Sequence, residues 1–144
     1  MLDAGGNPVA LAREDGCGLL RVDIAKAKAW TGLAMGMSPR ALRDRFVSRP
    51  AFLGALSDVS AGRIAPAPGG VLILVPGGVG DGCGAMEVVG AVGVSGDTSE
   101  KDEFVAVLAV QSAGLAADPA VPSDGWRESS LAGHSGCDAP TTAR

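Results

Sequence analysis

The residues best suited to chemistry in this 144-residue chain stand early, in Arg13-Glu14-Asp15-Gly16-Cys17-Gly18. Cys17 lies on a glycine-flanked loop beside a guanidinium and a carboxylate. A neighbouring cation favours the thiolate, which is both nucleophile and metal ligand. Cys17 is therefore a candidate metal ligand. The plainer reading is an exposed thiol on a loop braced by an Arg13–Asp15 ion pair. Lys28 is a second candidate, placed by spacing in mid-helix next to the apolar stripe, where it either pairs with Asp3 or Asp15 or touches a ligand. A third is Gly93-Val94-Ser95-Gly96, where free N–H groups at a helix start could cradle an anion. Its alternative is a tight strand-to-helix turn, since no Lys follows as it does in a P-loop. The glycines at 77, 78, 80, 82 and 84 join two strands and read as a flexible connector, not a nucleotide loop.

No catalytic set emerges from these residues. A Ser-His-Asp arrangement would need His134, the single histidine, from a polar tail, and no carboxylate pair has an evident acid/base setting. Enzyme activity would have to come from a bound cofactor. Cys17, Cys83 and Cys137 are odd in number and lack C-x-x-C spacing, which argues against a disulfide framework or structural zinc. A formal net charge of −4 and an aromatic content of 3% argue against nucleic acid, which needs clustered cations and stacking platforms. No apolar run approaches the roughly 18 residues of a membrane span. A cytoplasmic protein is the default expectation, with the reservation that the chain starts abruptly and an export signal could precede Met1.

The elements that must position these residues follow from periodicity. Val71–Val75 and Val88–Val94 are short β-branched runs bounded by glycines, the pattern of a buried hairpin. Leu19–Met37 has helical spacing, with Leu20, Ile24, Ala27, Thr31 and Ala34 as the expected inward stripe. Ser38-Pro39 is a helix start, Ser as cap and Pro in the first turn. Pro50–Ala61 reads as a short helical turn and loop. A helix capped by Asp97 or Thr98 should run to about Ala117, with Phe104, Val107, Leu108 and Leu115 inward. Its acidic residues Glu100, Asp102 and Glu103 lie in the first turn, where the dipole favours them. Residues 1–117 then form one domain, and 118–144 a disordered or loosely docked tail.

Several pieces in this order carry a resemblance: Asp3-x-x-Gly6, Arg13-x-Asp15-Gly16, Ala25-x-x-Lys28-Ala29-x-Thr31, Pro68-Gly69-Gly70, Gly90–Gly96 and Asp102. Together they resemble the GlcG/HbpS family (DUF336, also the PduO C-terminal-type domain) of haem-binding or haem-degrading-type proteins. The resemblance implies an α+β, profilin-like fold, an antiparallel sheet of about five strands with helices on its faces, assembled into homo-oligomers. It implies haem as the small-molecule ligand, with Arg13, Asp15, Cys17, Lys28, Gly69 and Gly70 as candidate ligand-binding residues. The rival expectation is a non-catalytic accessory subunit that binds no haem. Three departures stand out: the family's first helix and part of its first strand are missing, Asn7 stands where His is frequent, and the connector 76–86 is long.

Overall fold

The computed structural model describes residues 1–77 and 85–128. Cys83, Cys137, His134 and most of the long connector lie outside the described residues. The elements in chain order are β1 (Leu2–Asp3), α1 (Arg21–Met35), α2 (Pro39–Phe46), α3 (Pro50–Val59), β2 (Gly70–Pro76), β3 (Met86–Gly93), α4 (Ser99–Ser112) and β4 (Ala116–Asp118). A 3₁₀ turn at Asp124–Arg127 follows. The strands form one antiparallel sheet in the order β1-β3-β2-β4. The α+β antiparallel architecture is therefore as expected, built from four strands among the described residues.

The β2–β3 hairpin is the centre of the sheet, and its alternating residues divide the core in two. On one face Leu2, Leu72 and Ala91 pack with Ala29 of α1. On the other, Val71, Ile73 and Ala117 pack with Ala106, Val107 and Val110 of α4.

The phase of α1 differs from expectation. Leu20 and Ile24 are exposed, Ala34 likewise, while Lys28, Ala29, Thr31 and Gly32 are buried. The reason is distance. A Cβ added at Gly93 would collide with the Ala25 carbonyl, and one at Gly70 with the Lys28 carbonyl. The helix lies backbone-close on the hairpin, so only its small-residue face fits there, and the bulky residues turn outward. In α4, similarly, Val107 is buried as expected, but Leu108 is 54% exposed and Asp102 and Glu103 take buried positions.

The caps agree with the sequence. Ser38 Oγ accepts from Ala41 N at the start of α2, and Thr98 Oγ1 from Lys101 N at the start of α4. α3 is a full ten-residue helix, where only a helical turn was expected. Past Ala117 the chain stays attached as far as it is described. Asp118 accepts from Ser38 N, Ser123 N donates to Glu103, and Trp126 stacks on Phe104 with ring centroids 3.8 Å apart.

Candidate functional site

A cleft of about 920 Å³ opens where three elements meet: the loop Ala10–Gly18, the first turns of α1, and the β3–α4 turn. Arg13, Asp15 and Cys17 all line it, together with Arg21, Lys101 and the turn Gly93–Asp97. A smaller apolar pocket beside Leu2, Pro8 and Ala29 shares Leu11, Val22 and Ala25 with it. The walls thus pair an apolar floor with a rim of both charge signs.

On that rim Arg21 donates to Ser95 Oγ and the Asp97 carbonyl, each at 3.4 Å. Both distances are long for a hydrogen bond, so the guanidinium is held loosely. Lys101 Nζ lies 3.5 Å from Asp97 Oδ2. The Asp97 carboxyl is held below the usual carboxylate range, first by the Thr98 N–H donating to it at 2.7 Å, then by the nearby Lys101 and Arg21 charges. Arg13 and Asp15 are exposed and, among the described residues, form no ion pair with each other, so the expected brace is absent. Cys17 is a free, half-buried thiol whose Sγ points to the Gly18 carbonyl at 3.5 Å.

The other three sequence candidates sit elsewhere. Lys28 Nζ pairs with Asp102 Oδ2 at 2.8 Å, with both side chains nearly inaccessible. The sequence pointed to Asp3 or Asp15 as its partner; the structure gives Asp102 instead. Asp3 instead accepts from the Asn7 backbone and side chain, bonds that depress its carboxyl pKa. Gly69 is left-handed with φ +110°, and a Cβ on it would press on Lys28 Nζ and Asp102 Cβ, each at 2.8 Å. Gly70 supplies the close approach of α1 to β2. Lys28, Gly69 and Gly70 therefore form a packed junction behind the cleft, not part of its lining.

The glycine turn completes that junction. Asp102 Oδ1 accepts from Gly96 N at 2.8 Å and from Asp97 N at 3.0 Å. The paired N–H groups that could cradle an anion do hold one, and it is the chain's own carboxylate. Asp102 thereby fixes the turn that forms one wall of the cleft. Sequence reading missed Arg21 and Lys101 as rim residues. The available signal was a cation at the first turn of each helix that opens onto a flagged loop.

An antiparallel sheet with a helix on each face defines a class of small α+β domains, and known structures share that fold. The chain is similar to the crystal structure of a PduOC:haem complex, with a TM-score of 0.66 and 24% identity over 81% of this chain and 78% of that one. At that identity the likeness is one of fold. It is also similar to the Klebsiella pneumoniae protein ORFY, a DUF336 protein, with a TM-score of 0.59 and 29% identity over 76% and 69% of the two chains. An uncharacterized 15.0 kDa protein from the dhaT–dhaS intergenic region of Citrobacter freundii is 31% identical over 110 residues, 76% of this chain and 70% of that protein. The family described as haem degrading protein, HbpS-like, matches residues 1–111. The chain belongs to the HbpS-like family.

Proposed function

We propose that this chain is a small, self-associating ligand-binding domain that binds haem in the cleft between the Ala10–Gly18 loop, α1 and the β3–α4 turn. The observation that carries this reading is the convergence of a half-buried thiol, Cys17, with two guanidinium groups on an apolar floor. The fit is chemical. A thiolate is a recognised haem-iron ligand. Arg13 and Arg21 would pair with carboxylate groups of the ligand, since guanidinium recognises carboxylate in a two-pronged fashion. Leu11, Val22 and Ala25 would take its apolar face. The volume lies in the range of small-molecule and cofactor sites, roughly 300–1,000 Å³. Family membership and the haem complex formed by the PduOC neighbour support the same ligand. When bound, the haem would supply a redox-active iron. What this chain supplies is a ligand atom, two counter-charges and exclusion of water from one face.

A haem titration followed by Soret absorbance tests the proposal, with Cys17→Ala in parallel. A saturable shift, weakened by the substitution, is the expected result. A saturable shift unaffected by Cys17→Ala would move the ligand atom elsewhere. No saturable shift would overturn the haem reading and leave the accessory-subunit role ahead.

A further inference from the structure

Residues 119–127 run as a strap over α2 and α4, and helix side chains hold its backbone. Arg40 of α2 donates to the Val121 carbonyl at 2.9 Å, and Gln111 of α4 to the Ala120 carbonyl at 2.7 Å. Glu103 Oε1 accepts from Ser123 N at 2.9 Å, and Trp126 stacks on Phe104. Arg40 also pairs with Glu103 Oε1 at 3.2 Å, so one guanidinium bridges the carboxylate and the strap.

The carboxylate at the middle of this set is incomplete. Glu103 is fully buried, yet its Oε2 has no hydrogen-bond partner among the described residues. An ionised carboxylate out of water is costly unless its oxygens are answered. Two events relieve the shortfall: Oε2 takes a proton and the strap stays down, or the strap lifts and water reaches the carboxylate. The surrounding groups decide between them. On α2, Arg40 and Arg43 favour the ionised form, as does the Ser123 N–H from the strap, while Glu100 on α4 opposes it. The strap's own charges, Asp124 and Arg127, form no ion pair among the described residues, and Arg127 lies over the Trp126 ring. Burial outweighs the cations, so Glu103 holds its proton above the usual 4.5.

We infer that residues 119–127 form a strap latched by Glu103, closed when Oε2 carries a proton and loosened when the carboxylate ionises. Neither Arg40 nor Glu103 lines the cleft, so the device is independent of the haem reading. The closed strap binds the proton more tightly than the open one. Its hold is therefore complete below pH 4.5 and is lost as pH rises through the closed-state value. Opening uncovers the Phe104 ring on α4.

The chain has two tryptophans, Trp30 and Trp126. Acrylamide quenching of the full chain from pH 4 to 8 reads the strap, and Trp126→Phe separates the Trp126 signal from that of Trp30. The Trp126 component should rise about two- to threefold across that range, as a local opening would make it. In Glu103→Gln, which cannot ionise, it should stay at its low value throughout. In the parent chain the Glu103 carboxyl carbon, followed by NMR, should titrate with the same midpoint as the quenching. A flat quenching profile overturns the latch, as does a rise that survives unchanged in Glu103→Gln. A Glu103→Gln strap open at every pH overturns it too, since the charge would then be what holds the strap. A Glu103 that titrates where Trp126 does not respond overturns it without recourse to a Glu103 variant.

Discussion

Two adjacent carboxylates on α4 face two different junctions, and the contrast between them explains much of this molecule. Asp102 points toward α1 and the β3–α4 turn; Glu103 points toward α2 and the segment after β4. Both are buried. Asp102 is fully matched, with Lys28 Nζ on one oxygen and the Gly96 and Asp97 N–H groups on the other. Glu103 is half matched. Its Oε1 takes Arg40 at 3.2 Å and Ser123 N at 2.9 Å, while Oε2 has no partner among the described residues. A buried charge is tolerated when every polar atom is answered and is costly when one is not. The first junction is thus a fully answered framework beside the cleft; at the second, burial raises the carboxyl pKa above its usual value.

The contrast can be broken most severely at Lys28. Lys28→Ala leaves the Asp102 charge buried without its cation and should destabilise the fold by about 3–5 kcal/mol, read as a fall in the denaturant midpoint at unchanged m. Next in size is Gly93→Ala, whose methyl has no space against the Ala25 carbonyl. Overpacking of this kind costs about 1–3 kcal/mol, and thermal melting would register it. At the second junction, Glu103→Gln should be nearly neutral at pH 7, within about 1 kcal/mol, because it removes a charge that burial disfavours while keeping the acceptor for Ser123 N. A loss as large as that of Lys28→Ala would show that the two junctions are energetically alike.

Acidity sharpens the same comparison more gently. Burial raises the Glu103 pKa above its usual 4.5, against the opposing pull of Arg40. The folded state therefore holds that proton more tightly than the unfolded chain. Its contribution to stability is fully present below pH 4.5 and is lost as pH rises through the folded value. Asp3 and Asp97 act in the opposite sense: their pKa values fall below 3.8, so their contribution is present above 3.8 and lost as pH falls. Melting curves from pH 4 to 8 should show the parent chain losing stability relative to Glu103→Gln as pH rises. A flat difference would contradict the assignment.

Much of this organisation can be read from local sequence, and the misses share a cause. The hairpin, the Ser38 cap and the Thr98 cap are local, since each depends on residues within a few positions. The inward face of α1 is not local. Periodicity weights Leu20 and Ile24 by size, whereas the sheet selects Ala25, Ala29 and Gly32 by closeness, a property of Gly70 and Gly93 far along the chain. The Lys28 partner was missed for the same reason, since Asp102 lies 74 positions away. At the candidate site, Arg13, Asp15 and Cys17 are contiguous and were legible as a group. Arg21 and Lys101 join them only through the fold.

The proposed site implies a division of labour: Lys28, Asp102 and the two glycines hold the framework, while the Arg13–Cys17 loop with Arg21 is the part proposed to meet the ligand. The most direct test is a haem titration of the parent chain beside Lys28→Met/Asp102→Asn. That double change removes both charges, keeps an acceptor for the Gly96 and Asp97 N–H groups, and should preserve the fold. The account predicts a saturable Soret shift in both proteins with affinities within about threefold of each other. A shift in the parent that disappears in a folded double variant would place Lys28 at the ligand and contradict it.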